Sequence, residues 1–164
     1  MSFRDRVDKV TRYALVLMMG LLVIVVVWQV ISRYVLGAPS TLTDEMARFL
    51  LIWVSLLGAA YCSGQNMHIA IKALPSRLNP ENRRRLEVLI RVLIIAFVLF
   101  VFVIGGGYLT ATTLIYMQLT PTLQIPMAII YMIAPVSGLL IIYYKLDDIL
   151  RLRRGGPAAL DELS

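Results

Sequence analysis

Four long apolar blocks, separated by polar stretches, dominate the sequence. They cover about residues 13–35, 45–64, 89–112 and 124–146, and apolar residues fill nearly all of their positions. This pattern is typical of helices that are apolar on nearly all sides. At about 1.5 Å per residue, each block is long enough to cross a hydrocarbon core about 30 Å thick. The pattern therefore predicts an all-α integral membrane protein with four transmembrane helices.

The composition supports a membrane protein and argues against several classes of function. Hydrophobic residues make up 59% of the 164 residues and charged residues 16%, less charge than a soluble domain carries. One Cys excludes an internal disulfide, and one His excludes haem ligation by two His of this chain. The basic residues flank the apolar blocks, which argues against a nucleic-acid surface. We expect no enzyme activity and no cofactor in this chain.

The distribution of Lys and Arg predicts the orientation. All but two of the 16 basic residues lie before the first block, between the second and third blocks or at the adjoining end of the third, or at the end of the fourth block and beyond. These three segments fall on one side of a four-span protein, and the positive-inside rule makes that side cytoplasmic. Both termini are therefore expected in the cytoplasm. The residues are Arg4, Arg6, Lys9, Arg12, Lys72, Arg77, Arg83, Arg84, Arg85, Arg91, Lys145, Arg151, Arg153 and Arg154.

The first block is expected to be a retained span, not a cleaved signal. Its length of about 23 residues exceeds that of a typical signal peptide's apolar region, and no A-x-A cleavage site follows it. The preceding stretch FRDRVDKV has apolar residues at helical spacing and is a candidate surface helix.

The cytoplasmic connection at about 66–88 is predicted to be an interfacial segment. Asn79 is a candidate N-cap and Pro80 a candidate first residue of an amphipathic helix that runs into the third span. This helix could anchor the span on membrane lipid or serve as a platform for a partner. Residues 1–154 are expected to form one membrane domain, and residues 155–164 a flexible tail.

The second span has a polar and small-residue stripe. Apart from one Ile, this face of the helix is polar or small, and Gly58 lies on a neighbouring face. Steps of about 100° place on the stripe Glu45, Arg48, Ile52, Ser55, Ala59 and Cys62. Small and polar residues mark helix contacts in membranes, so this stripe is expected to be buried against protein.

Charges at one edge of the first two spans leave three interpretations open. Glu45 and Arg48 are spaced i,i+3 and are expected to pair, and Arg33 is expected to reach Asp44 or Glu45. The favoured interpretation is an ion-pair cluster that fixes the two spans together. The others are a docking contact for an outside partner and a transported-ion site, for which the edge position of Glu45 is unusual.

Other chemically notable residues favour structural roles. Cys62 has no His and acid arranged around it, so it is expected to be a packing residue. Pro135 predicts a kink in the fourth span, and Gly105–Gly107 predicts close packing or flexibility. A further group is expected to contact headgroups or helix ends at the cytoplasmic edge: His68, Lys72, Arg83, Arg84 and Arg85.

Two stretches, RYVLGAP followed by DEMARFLLIWVSLLGAAYCSGQNMHIAI, carry a family resemblance. With LQIPMAIIYMIAPVSGLL, they resemble the small integral membrane subunit (DctQ/SiaQ-like) of tripartite ATP-independent periplasmic (TRAP) transporters, over most of the chain. Leu42 and Lys72 depart from the family pattern, which often has Trp and Asp there. The matching positions are Arg33, Tyr34, Glu45, Ala47, Arg48, Trp53, Leu57, Gly58, Ala59, His68, Pro126, Tyr131, Pro135 and Gly138.

The resemblance implies a non-catalytic scaffold in the bacterial inner membrane. In this family a periplasmic substrate-binding protein captures an organic anion, such as a carboxylate or sialic acid, and a large sodium-coupled membrane subunit moves it. The small subunit packs against the large one and helps to dock the binding protein. Sodium is accordingly expected in the large partner subunit. The alternative is a stand-alone four-helix small efflux carrier, against which the one-sided charge and the edge position of Glu45 count.

Overall fold

The computed structural model describes residues 3–38, 40–65 and 80–155. The described chain is helical, and a π-helical segment, Leu99–Gly105, lies between α3 and α4. The helices are α1 (Phe3–Tyr34), α2 (Thr41–Gly64), α3 (Pro80–Val98), α4 (Gly106–Ile115), α5 (Met127–Tyr131) and α6 (Ile133–Gly155).

In the described part of the chain, four stretches of helix are long and apolar enough to cross a membrane, which confirms the predicted count. Span 1 is Arg4–Tyr34, span 2 is Thr41–Gly64, span 3 is Val88–Ile115 and span 4 is Met127–Leu150. The observed helices extend beyond the predicted apolar blocks at most of their ends, although the helix of span 4 begins at Met127, three residues after the predicted start. Backbone hydrogen bonds continue into flanking polar residues, whose side chains need not enter the hydrocarbon. The N-terminal candidate surface helix is the beginning of α1 itself.

The spans form an open series of contacts in the order 1–2–4–3. α1 packs on α2, α2 packs on α6, and α6 packs on α3 and the π-helical segment. Span 4 is central, because 39% of its most apolar window is buried, against 6% for spans 1 and 3. A small core forms from Ala60, Val98 and Ile141, contributed by spans 2, 3 and 4. Spans 1 and 3 therefore leave most of their apolar surface uncovered by this chain.

The π-helical segment and an interruption in span 4 accompany very close packing of spans 3 and 4. A Cβ on Gly106 would lie 2.9 Å from the Cβ of Ala134, and a Cβ on Gly138 would lie 2.8 Å from that of Phe102. Span 4 is interrupted at Met132, between α5 and α6. Pro135 has no N–H to donate to the carbonyl one turn earlier, so the interruption matches the predicted kink.

A short turn places α2 against α1. Gly37 has a φ of +64°, a conformation that glycine adopts without strain. The Ser32 hydroxyl donates to the Ala38 carbonyl at 2.5 Å, and the Ser40 side chain accepts from the Thr43 N–H at 3.4 Å. This N-cap starts α2 four residues before the predicted start of span 2.

The predicted interfacial segment is described only in part. α3 begins at Pro80, as predicted, and continues into span 3. Asn79 and the rest of the stretch 66–79 lie outside the described residues, as does the predicted tail beyond Gly155.

Candidate functional site

Polar side chains gather at both ends of the spans. We call the end that carries the connections 35–40 and 116–126 the loop end. The opposite end, with the start of α1, the end of α2 and the last turns of α6, is the terminal end.

At the loop end, Glu45 joins α2 to the connection between spans 3 and 4. Its side chain is buried, and Oε2 accepts the backbone N–H groups of Thr122 and Leu123, each at 3.0 Å. Carboxylate oxygens form strong hydrogen bonds with backbone donors, so one side chain holds two consecutive residues of the connection. Its other oxygen, Oε1, is buried and has no hydrogen-bond partner in the described part of the chain.

The connection that Glu45 holds also has internal bonds. Thr120 is almost fully buried, donates its N–H to the Ile125 carbonyl at 3.0 Å, and accepts the Ile125 N–H with Oγ1 at 3.1 Å. Met117 and Gln124 adopt φ values of 46° and 51°. The connection is thus a defined turn with two left-handed residues, a conformation that costs energy outside glycine and needs such support.

The charge pairing at the loop end corrects the sequence-based prediction. Arg48 pairs with Asp44, one helical turn away, and not with Glu45. Asp44 also accepts from Gln29 of α1 at 2.9 Å, so Asp44 supplies the side-chain link between spans 1 and 2. Arg33 is exposed and forms no ion pair with Asp44 or Glu45, although it lines a small polar cavity with Asp44. Arg48 can reach an acid three or four positions earlier on the helix, and Glu45 is turned towards the connection, which leaves Asp44 as its partner.

Beyond Glu45, the stripe predicted on span 2 faces away from the rest of this chain. Ser55 and Ala59 are exposed, and Cys62 further along the helix is exposed as well. Gly58 lies closer to α1, since a Cβ there would be 3.8 Å from Leu15. The buried face of α2 instead carries Leu57, Ala60, Ser63 and Gly64. Within this chain the expected burial therefore occurs only at Glu45 and not along the rest of the stripe.

At the terminal end, Arg4 joins α1 to both α6 and α2. Its guanidinium donates to Asp147 at 2.7 Å, to Asp148 at 2.9 Å and to the Gly64 carbonyl at 2.6 Å. The carbonyl of Gly64 stands at the end of α2, where backbone acceptors lack helical partners. One side chain therefore connects three helices.

Tyr144 and Lys145 of α6 complete this cluster. The Tyr144 hydroxyl donates to Asp8 at 2.5 Å, and its ring lies so close to Gly64 that a Cβ there would be 2.8 Å away. Lys145 donates to the Ser63 carbonyl at 2.8 Å. Both side chains are almost completely buried. We call Arg4, Asp8, Tyr144, Lys145, Asp147 and Asp148, with the end of α2, the terminal cluster.

Sequence reasoning missed the terminal cluster. It used Arg4 and Lys145 only as markers of orientation and gave Asp147 and Asp148 no role. The available signal was a pair of adjacent acids directly after an apolar block, with basic residues at the other terminus on the same predicted side. Opposite charges on one side of a membrane span can pair across helices.

Most of the residues predicted to make contacts at the cytoplasmic edge have side chains that the structure does not describe. His68 and Lys72 lie outside the described residues. Arg83 and Arg84 lie in α3, where only their backbone is described. Arg85 is exposed. Within the described part of the chain, no group of three or more His, Cys, Asp and Glu side chains could hold a metal ion.

Comparison with known proteins identifies the family. Residues 22–155 match the model of the DctQ component of tripartite ATP-independent periplasmic transporters. The chain belongs to this family. It is a TRAP small permease subunit, a component of a transporter and not an enzyme.

Named relatives of this TRAP subunit agree with the family match. The sialic acid TRAP transporter small permease protein SiaQ of Vibrio cholerae is 27% identical over 92% of this chain and 86% of the relative. A putative TRAP transporter small permease protein of Haemophilus influenzae is 22% identical over 85% of each chain. The ectoine TRAP transporter small permease protein TeaB of Halomonas elongata is 28% identical over 77% of this chain and 66% of the relative.

Proposed function

We propose that this TRAP subunit is a scaffold for a large sodium-coupled membrane subunit and helps to dock a periplasmic substrate-binding protein. The complex would take up an organic anion such as a carboxylate or sialic acid. The chain itself supplies contact surfaces, and sodium binds to the large subunit. Orientation follows the basic residues, with both termini in the cytoplasm and the loop end in the periplasm of a bacterial inner membrane.

The open arrangement of the spans is the observation that carries this proposal. Spans 1 and 3 bury little surface within the chain, and the exposed stripe of span 2 contains Ser55 and Ala59. Helices associate in membranes through small and polar residues, because lipid is as apolar as a Leu side chain. The stripe is therefore a contact surface for the large subunit.

The loop end supports the docking role. Glu45 holds a defined turn there, and this connection exposes Tyr116, Met117 and Leu119. Arg33 and Arg48 are exposed at the same end. A rigid loop with exposed apolar tips and nearby charges offers a soluble partner a preorganised surface, which lowers the entropic cost of binding.

Co-purification tests the scaffold role. The tagged chain, expressed with its genomic neighbours, is expected to retain a much larger membrane protein through detergent extraction. A Ser55→Leu/Ala59→Leu variant is expected to lose this partner, whereas Leu51→Ala, at an exposed bulky position, is the matched control.

Transport by the purified chain separates the proposal from its alternative. Liposomes that contain this chain alone are expected to show no substrate flux, and flux should require the large subunit and the binding protein. Flux by the chain alone would establish the stand-alone carrier and reject the scaffold.

A further inference from the structure

We propose that the exposed basic face at the start of α1 binds the headgroups of anionic phospholipid. This face consists of Arg6, Lys9 and Arg12 with the ring of Tyr13, all exposed. The inference concerns a lipid site and does not need the large subunit to be bound.

Charged residues at the start of α1 lie in two environments, one turned into the terminal cluster and one exposed. Arg4 turns inwards to Asp147 and Asp148, and Asp8 turns inwards to accept from Tyr144. The acids nearest to this face from α6 are therefore engaged inside the terminal cluster. In the described part of the chain, Arg4 and Lys145 form ion pairs at this end, and none is formed by the outward cations Arg6, Lys9 and Arg12.

The outward cations keep a positive charge at the edge of an apolar surface. Asp5 is exposed on the same part of α1 and offsets only part of the charge of Arg6, Lys9 and Arg12. Directly after them, Val16 and Leu17 are 66% and 71% exposed. A basic surface that borders an exposed apolar one matches a phospholipid, which has an anionic head and apolar chains.

The spacing along α1 suits headgroup depth. Arg12 precedes the long apolar block, and Lys9 and Arg6 lie about 4.5 Å and about 9 Å further out along the axis. The guanidinium carbon of Arg12 lies 5.6 Å from the centroid of the Tyr13 ring. Tyr favours the membrane interface, and a stacked guanidinium can still offer N–H donors to a phosphate.

Native mass spectrometry of the full-length chain tests the site. The probes are phosphatidylglycerol and, as the neutral-headgroup control, phosphatidylcholine. The wild type is expected to retain phosphatidylglycerol preferentially, and Arg6→Gln/Lys9→Gln/Arg12→Gln is expected to weaken that binding by about tenfold or more. Arg6→Lys/Arg12→Lys keeps the charge and should retain most of the preference, and Arg33→Gln is the control at the other end.

Three results would overturn the lipid site. One is an unchanged phosphatidylglycerol preference in the triple Gln variant, and another is an equal loss of both lipids. The third is co-purification of the large subunit that depends on these residues while lipid preference does not. If the triple variant fails to fold, the single variants Arg6→Gln, Lys9→Gln and Arg12→Gln test the site, and an unchanged phosphatidylglycerol preference in all three would overturn it.

Discussion

At the residue scale, carboxylates at opposite ends of the spans each bind donors that are distant in the sequence. Glu45 binds backbone donors 77 and 78 residues away, and Asp148 binds a guanidinium 144 residues away. Each satisfies groups that would otherwise be poorly partnered near a membrane. The two acids therefore link parts of the chain that the short connections do not bring together.

Removing Arg4 is expected to be strongly destabilising, because Asp148 is fully buried. Arg4→Gln removes the guanidinium that binds Asp147, Asp148 and the Gly64 carbonyl and leaves Asp148 with Lys145 alone, 3.8 Å away. It should lower the free energy of unfolding by up to about 3–5 kcal/mol. Unfolding in mixed detergent micelles measures this effect. Arg4→Gln combined with Asp148→Asn should cost less than the sum of the single changes, by about 0.5–3 kcal/mol. Strict additivity would contradict direct coupling.

Glu45 is expected to matter for folding and assembly more than for ion coupling. Glu45→Ala removes the acceptor of two backbone N–H groups and should lower the yield of folded complex, whereas Glu45→Gln keeps one acceptor and should lower it less. The yield after size-exclusion chromatography gives the ranking. An altered sodium stoichiometry with intact assembly would contradict the structural assignment.

At the element scale, the helices follow from the sequence and their local distortions do not. Four apolar blocks define four spans, and Pro80 and Pro135 mark a helix start and an interruption through their missing N–H groups. The π-helical segment Leu99–Gly105 accompanies contacts between spans 3 and 4, which periodicity does not encode. The partner of Glu45 escaped prediction for the same reason: Thr122 and Leu123 are brought to it by tertiary packing.

Adjacent glycines of span 3 provide a matched test of this packing. Gly106→Ala would place a Cβ 2.9 Å from that of Ala134, while a Cβ on Gly107 meets nothing within 4 Å. We expect Gly106→Ala to destabilise by about 1–3 kcal/mol through overpacking. Gly107→Ala should be neutral or slightly stabilising, because Ala favours helix. Thermal unfolding of both variants in one detergent compares them directly, and equal midpoints would argue against the close contact.

At the scale of the whole molecule, most of the span surface meets lipid or another protein. Span 4 is central, and spans 1 and 3 stand at the two ends of the contact series. Helix count and distribution of charge were readable from the sequence. The order 1–2–4–3 could not be predicted from the sequence, because four helices with similar apolar surfaces and polar ends can be arranged in several ways.

Cysteine labelling tests the proposed orientation of the whole molecule. Met117 at the loop end is 83% exposed. In a Cys62→Ser background, Met117→Cys should therefore react with a membrane-impermeant maleimide in cells with a permeable outer membrane. Ser164→Cys should react only after the inner membrane is opened. The reverse pattern would place the termini in the periplasm.

The terminal cluster also constrains the order of events during synthesis. Arg4 emerges from the ribosome 144 residues before Asp148, an interval of about 7–30 s at bacterial rates of elongation. Throughout that interval the guanidinium lacks its native acids and must stay hydrated or at the headgroups. Arg4 and Asp148 can thus join spans 1 and 4 only after span 4 has been synthesised, so insertion of span 4 completes the contacts of the terminal cluster.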